Sequence, residues 1–114
     1  ERSVLGRFNI QGNRFTGPIP SQFGQIERLS YLQLLNNRLS GTIPTELGLM
    51  SNLERLIVSG NNLRGTLPTS LFNLRFLQRL FVQDNLLSGT LPTTLKNAWW
   101  LFVIDLSQNN FTGV

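Results

Sequence analysis

Residues 29–52 read LSYLQLLNNRLSGTIPTELGLMSN, and this arrangement returns every 24 residues along the chain of 114 residues. The step holds without insertion or deletion at four kinds of residue. The residues concerned are Leu5, Leu29, Leu53, Leu77 and Leu101; Asn13, Asn37, Asn61, Asn85 and Asn109; Gly17, Gly41, Gly65, Gly89 and Gly113; and Pro20, Pro44, Pro68 and Pro92. A fixed period of this length indicates a solenoid, in which each repeat buries its apolar face against its neighbours.

The first seven places of each unit alternate between inward and outward side chains, which predicts a β-strand with one buried face. We therefore expect five parallel strands in one curved sheet, at about 6–11, 30–35, 54–59, 78–83 and 102–107. The glycine at the thirteenth place allows a turn that a Cβ would obstruct. The proline that follows cannot donate to a continuous ladder, so a short edge or extended segment is expected there. Apolar residues three apart, such as Leu47 and Met50, suit a 3₁₀ or helical turn.

The unit resembles the plant-type leucine-rich repeat of receptor-like kinases, receptor-like proteins and polygalacturonase inhibitors. The wording G-T-[IL]-P-T at 41–45, 65–69 and 89–93 is also similar to cell-surface repeat proteins of algae and diatoms. The resemblance implies an α/β solenoid with a curved parallel sheet on its concave face and 3₁₀ turns, short helical turns and extended segments on its convex side. We expect one domain over 1–114, with repeats at 5–28, 29–52, 53–76 and 77–100 and a partial repeat at 101–114.

For function, the resemblance implies a non-catalytic recognition module in the ectodomain of a membrane-associated, receptor-like signalling glycoprotein. Its location would be extracellular or at the cell surface, and its partner a peptide, a protein, a glycan or a co-receptor on the concave face. Two alternatives remain open: a secreted inhibitor of a cell-wall-degrading enzyme, and a structural protein of the extracellular matrix. Flanking sequence separates the three, because a kinase or transmembrane segment, a cysteine-paired cap or a long repeat array would favour a different one.

The composition argues against catalysis, because the chain has no histidine and no cysteine. The commonest general bases and metal ligands are therefore missing, and we expect no metal and no cofactor. Among the six acids, only Asp84 and Asp105 could approach each other on one face, and the simpler interpretation is two solvated carboxylates near Arg79. A net charge of +4 is too modest to indicate a nucleic-acid partner. No apolar run is long enough to span a membrane.

The third, fifth and seventh places of each unit are expected to point out of the concave face. Neighbouring parallel strands lie about 4.8 Å apart, so Arg55 and Arg79 should be adjacent, beside Ile57 and Phe81. Exposed aromatic and aliphatic side chains flanked by arginine are typical of interface cores, which predicts a partner-binding patch. The predicted binding residues are Arg7, Tyr31, Leu35, Arg55, Ile57, Arg79, Phe81, Val103 and Asp105.

An R-x-R pair along one strand is frequent in peptide-binding receptor kinases, at the fifth and seventh places. This chain has Ile57/Ser59 and Phe81/Gln83 at those places, so the motif is absent. The resemblance therefore does not carry over a carboxylate clamp of that kind.

The repeated asparagines are expected to be structural, because an amide supplies donors and an acceptor to a tight buried turn. Asn110-Phe111-Thr112 is an acceptor sequon for glycosylation, expected at an exposed bend. Trp100 is expected to pack beneath the fifth strand as Phe76 does beneath the fourth, and Trp99 to make a flank contact.

The sequence contains no polar terminal cap, and solenoids need such caps for solubility. We therefore expect residues 1–114 to be a segment of a longer ectodomain. The purified segment should associate or melt over a broad range in calorimetry, because its end faces expose apolar side chains. A monomer with one sharp melting transition would contradict this expectation.

Overall fold

The computed structural model describes residues 6–98 and 100–112. Its main element is a sheet of five parallel strands in the order β1-β3-β5-β7-β9. These strands are β1 (Arg7–Asn9), β3 (Tyr31–Gln33), β5 (Arg55–Ile57), β7 (Arg79–Phe81) and β9 (Val103–Asp105). Each residue pairs with the residue one repeat away, for example Leu32 with Leu56. The predicted α/β solenoid is confirmed.

Each strand spans three residues, at the third to fifth places, instead of the six expected. Three places beyond each strand, the chain turns at the eighth place of every described repeat. The residue there has a positive φ, which a continuous β-strand does not allow. The residues and angles are Gly12 (73°), Asn36 (57°), Gly60 (71°), Asp84 (60°) and Gln108 (54°). Asp84, one of the two acids that could meet on the sheet, is thus a turn residue.

The segment after the asparagine forms a second set of short parallel strands, where only an extended or edge segment was expected. These are β2 (Thr16–Pro18), β4 (Arg38–Ser40), β6 (Arg64–Gly65), β8 (Leu86–Thr90) and β10 (Asn110–Thr112). They pair as β2-β4 and as β10-β8-β6. The stacked repeats bring equivalent backbone groups side by side, so these segments hydrogen-bond although each is only two to five residues long.

A 3₁₀ helix of five residues follows each proline, as the three-residue apolar spacing predicts. The four helices are η1 (Ser21–Gln25), η2 (Thr45–Leu49), η3 (Thr69–Asn73) and η4 (Thr93–Asn97). Each begins after a proline whose fixed φ suits the entry, as at Pro44 with φ −64°. Within the described residues, no helix is long and apolar enough to cross a membrane.

Glycine at the thirteenth place lets one repeat approach the next. Gly65 has φ +85°, and a Cβ there would lie 2.9 Å from the methyl Cγ2 of Thr42. Gly89 has φ +80° and faces Thr66 in the same way, at 2.7 Å. Both the backbone conformation and the close neighbour therefore require glycine.

The core lies between the five-stranded sheet and the 3₁₀ helices. Leu32, Leu56 and Leu80 stand on the three central strands and are fully buried. Phe8 and Ile104 hold the same place in the outer strands and are only partly buried. The inward-facing residues of the pattern thus form one continuous apolar column, which is the packing that the period required.

The repeated asparagines tie consecutive repeats together. The side-chain Nδ2 of Asn61 donates to the carbonyl oxygens of Val58 at 2.9 Å, Ser59 at 3.2 Å and, one repeat earlier, Leu34 at 3.0 Å. Its Oδ1 accepts the backbone N–H of Leu39 at 3.0 Å. The same set of contacts recurs at Asn37, Asn85 and Asn109. Asn13 is exposed and donates only within its own turn.

Asn61→Ala should lower the free energy of unfolding by about 1–3 kcal/mol, because it leaves buried backbone groups of two repeats without partners. Urea unfolding followed by circular dichroism measures the change. The control is Asn13→Ala, which removes only exposed local contacts and should cost much less. Equal stability of the two variants would contradict the structural role of the buried asparagines.

Candidate binding surface on the five-stranded sheet

The outward side of the five-stranded sheet carries the third, fifth and seventh residues of each repeat, and we call it the concave surface. Its third-place column is Arg7, Tyr31, Arg55, Arg79 and Val103. The three arginines and Val103 are exposed, and Tyr31 is half-buried. One end of this surface is therefore rich in accessible positive charge.

Tyr31 lies between two arginines. The guanidinium carbon of Arg7 is 5.6 Å from the centre of the Tyr31 ring, and that of Arg55 is 5.7 Å from it. Both distances are within the range in which a cation is attracted to an aromatic ring. The stack holds two positive charges close together on the surface and limits the rotamers of both arginines.

Gln33 positions the Tyr31 side chain through a hydrogen bond. Its Nε2 donates to the Tyr31 hydroxyl at 3.1 Å, and its Oε1 accepts the backbone N–H of Leu35 at 2.9 Å. This network explains why Gln33 is only 5% exposed, although its place in the repeat predicts an outward side chain. The amide at the fifth place therefore positions a surface aromatic rather than meeting solvent.

Arg55 and Arg79 pair in register across β5 and β7, as expected. The guanidinium group of Arg55, however, lies over the ring of Tyr31 on β3, which is the neighbouring strand on the other side of β5. Two like charges about 5 Å apart in water repel by only about 0.8 kcal/mol, so the pair needs no partner to exist. Neither Glu54 nor Asp84 forms an ion pair with them in the described part of the chain. The arginines thus keep their charge available to a ligand.

Ile57 and Phe81 form the apolar centre of the surface. They pair in register across β5 and β7, and both are half-buried. Ser59, two residues beyond Ile57, is only 2% exposed, whereas its seventh place predicted an outward residue. The accessible patch is therefore narrower than the repeat pattern alone suggests, and it centres on two apolar side chains beside the arginines.

Asp105 lies on β9, the edge strand of the sheet, and accepts two hydrogen bonds from Ser107. The Ser107 hydroxyl donates to the Asp105 carboxylate at 2.7 Å, and its backbone N–H donates to the same oxygen at 3.0 Å. The side-chain hydrogen bond, followed by the backbone one, lowers the pKa of Asp105 below its ordinary value, against a small opposing effect of burial. The carboxylate is thus a stable negative charge.

Asp84 and Asp105, the two acids that could approach each other, make no direct contact among the described residues. Asp105 is engaged with Ser107, and Asp84 stands in an exposed turn with no contact to it. Nor do any three acids of the described residues gather into a group that could hold a metal ion. The features described above that can bind a ligand are the charges and the apolar side chains of the surface.

Three predicted residues lie away from this surface. Asn110 is the first residue of β10, not part of a bend, and it is exposed; its glycosylation stays a prediction. Trp100 is half-buried and donates its indole N–H to the Leu74 carbonyl at 2.6 Å. Phe76 is 53% exposed, so the expectation that it packs beneath a strand is wrong. Trp99 lies outside the described residues.

Sequence reasoning missed the positioning residues of the surface. It selected Tyr31 and Arg55 as surface residues but predicted that the Arg55 side chain lies beside Arg79 and not over Tyr31. The order of residues along a column gives which strands are neighbours, but it does not give the direction of a side chain. A usable signal was present: polar residues at the fifth place, such as Gln33 and Asp105, stand two residues before a backbone N–H that they can bind.

This chain is a parallel solenoid whose sheet carries columns of charged and apolar side chains. These features place it in the class of repeat-protein scaffolds. Residues 5–26, 28–50, 52–74 and 76–98 match the Leucine Rich Repeat family. The chain belongs to this family. A comparison with curated proteins gives no match.

Solved structures with the same fold include plant receptors. The matched chain in the crystal structure of PEPR1–AtPEP1 is 39% identical to this chain in sequence and superposes on it with a TM-score of 0.95. The match covers 97% of this chain and 16% of that one. The plant peptide hormone receptor RGFR1 in complex with RGF2 is 33% identical with a TM-score of 0.90, covering 91% and 17%. The LRR ectodomain of the receptor kinase SOBIR1 from Arabidopsis thaliana is 34% identical with a TM-score of 0.84, covering 93% and 59%. The chain thus spans less than two thirds of each.

Ser107→Ala should raise the pKa of Asp105 towards its ordinary value, because it removes the first of the two hydrogen bonds to the carboxylate. The depressed pKa stabilises the folded chain above the unfolded pKa, and this contribution is lost as the pH falls through the folded value. A ¹³C NMR titration of the Asp105 carboxyl group measures the change. Ser51→Ala, in an exposed turn, is the control and should leave the titration as it was. An unchanged midpoint in Ser107→Ala would contradict the assignment.

Proposed function

We propose that the chain is a non-catalytic recognition module that binds a peptide or protein segment on its concave surface. The observation that carries the proposal is the Arg7–Tyr31–Arg55 stack, in which two guanidinium groups are held against one ring. Guanidinium groups bind carboxylates through two parallel hydrogen bonds, and a rotamer that is already restricted loses less entropy on binding. An acidic group of the ligand would lie here.

The apolar centre supplies the second part of the interaction. Ile57 and Phe81 lie beside Arg55 and Arg79 on the same two strands, so one ligand can contact charge and apolar surface together. Buried aromatic anchors with neighbouring arginines dominate many interfaces. The ligand would therefore carry an acidic group next to an apolar side chain.

The related structures support a protein or peptide partner. RGFR1 is a plant peptide hormone receptor in complex with RGF2, and SOBIR1 is a receptor kinase whose LRR ectodomain has this fold. By this similarity we propose an extracellular or cell-surface location, within the ectodomain of a receptor-like protein. The wider activity of such a protein would depend on segments outside these repeats.

The proposal is tested by selecting a displayed library of random peptides against the intact protein. The enriched peptides should combine an acidic residue with an apolar one. Phe81→Ala should weaken their binding by about 2 kcal/mol or more, as expected at an interface hot spot. The double substitution of Arg55 and Arg79 to Ala should weaken binding and flatten its dependence on salt, because charge attraction is screened by ions.

The matched control is Arg64→Ala, an exposed arginine on β6 that lies off the concave surface. It should leave both the affinity and its salt dependence unchanged. Peptides that bind Phe81→Ala and the double variant as well as the native chain, but lose binding to Arg64→Ala, would overturn the assignment of the surface.

A further inference from the structure

The fifth-place row of the concave surface changes from apolar to acidic at its last strand. Ile57 pairs in register with Phe81, and Phe81 pairs in register with Asp105 on β9. All three side chains are half-buried and therefore reach the surface. A negative charge thus lies one strand, about 4.8 Å, beyond the apolar centre.

The Asp105 carboxylate keeps one oxygen open. Ser107 donates its hydroxyl and its backbone N–H to the same oxygen, Oδ1, and so holds the carboxylate in one orientation. Among residues 6–98 and 100–112, no group donates a hydrogen bond to the other oxygen, Oδ2, and no cation forms an ion pair with the carboxylate. The side chain is therefore an oriented acceptor on an accessible surface.

Arg79, the nearest arginine in the third-place column, does not neutralise this charge. It stands one strand away and two residues back along the sheet, so the Cα atoms of Arg79 and Asp105 are about 8 Å apart. The hydrogen bonds from Ser107 lower the pKa of Asp105, and no neighbouring cation contributes to the shift. The negative charge is thus available to a cation from outside the chain.

We propose that the concave surface binds a peptide segment with an acidic, an apolar and a basic side chain in that order. The basic side chain forms an ion pair with Asp105, which we call the Asp105 subsite. The acidic side chain binds Arg55, and the apolar one contacts Ile57 and Phe81. This inference rests on the proposed function, to which it adds the second charge and the order of the three side chains.

The distance between the two charged residues on the surface sets the spacing of the charges in the ligand. Arg55 and Asp105 stand two strands apart and two places apart along the strands, so their Cα atoms are about 12 Å apart. An extended peptide covers this distance in about four residues at roughly 3.3 Å per residue. Alternate residues of an extended chain face the same side, so the three side chains occupy positions i, i+2 and i+4, in either chain direction.

The same arrangement disfavours ligands of one charge sign. A peptide with two acidic groups would place one of them beside Asp105. A peptide with two basic groups would place one of them beside Arg7 and Arg55, which both lie over the Tyr31 ring. Because like charges brought together weaken binding, the surface discriminates against both kinds of ligand.

Capped pentapeptides test the order of charges on the native protein. The test peptide is Asp-Gly-Leu-Gly-Lys, acetylated and amidated so that its ends carry no charge. Replacing its lysine by glutamine removes the cation and should raise the dissociation constant about two- to fivefold, as expected for an exposed ion pair. The isomer Asp-Leu-Lys-Gly-Gly places the charges only two residues apart and should bind as weakly as the glutamine peptide. Titrations followed by ¹H–¹⁵N NMR measure the constants, and equal affinity of the test peptide and either control overturns the proposal.

Asp105→Asn carries the test to the protein, because it removes the charge and keeps an oxygen for Ser107. The variant should bind the lysine and glutamine peptides equally and keep the native affinity for the glutamine peptide. The matched control is Asp84→Asn, which loses the same charge in an exposed turn whose positive φ asparagine tolerates. It should keep the native preference for lysine. Loss of the preference in both variants would indicate general charge attraction and overturn the subsite.

The readouts separate the Asp105 subsite from the binding function. Peptides that lose affinity for Phe81→Ala, but bind the native chain equally with lysine or glutamine, would overturn the subsite and leave the proposed function standing. Peptides that bind Phe81→Ala as well as the native chain would contradict both. If Asp105→Asn fails to fold, the peptide series on the native protein still decides the question.

Discussion

The stacking of repeats depends on one amide group per repeat. At Asn61 the side chain binds three carbonyl oxygens and one backbone N–H, and two of these four groups belong to the preceding repeat. A tight turn at the eighth place leaves these backbone groups without partners in the strand ladder. Because a buried backbone group must be paired, only a short side chain with donors and an acceptor fits this place. The register of both ladders follows from that constraint.

Most of the fold could be predicted because a strict period fixes neighbours. Knowing that Leu32 and Leu56 occupy the same place is enough to pair their strands and to bury both. The turn at the eighth place could not be predicted in this way, since it depends on a left-handed backbone that Asn36 and Asp84 adopt but do not demand. The second ladder was also missed, because a proline suggests an interruption and only the stacked backbone shows that the preceding residues pair.

The sequence predicts which residues of the candidate surface are neighbours on adjacent strands, but it does not predict which of their side chains touch. The order Arg7, Tyr31, Arg55 follows from the repeat, but the side-chain directions do not, and they decide that Arg55 meets Tyr31 rather than Arg79. Gln33 and Ser59 show a second limit, since both are buried at places that the repeat pattern assigns to the outward side of the sheet. The prediction for Phe76 failed in the opposite direction: it was expected to pack beneath a strand, but its side chain is largely exposed.

Among residues 6–98 and 100–112, the hydrogen bonds between repeats join residues that are 22 to 27 positions apart, and none of them reaches beyond the adjacent repeat. Cooperativity along such a chain is passed on only from neighbour to neighbour. A weakened contact in the middle would therefore act as a boundary, on either side of which the repeats exchange their amide hydrogens as separate blocks. The molecule resembles a stack of coupled units more than a globule with a single centre, and its cooperativity can be divided by changing one repeat.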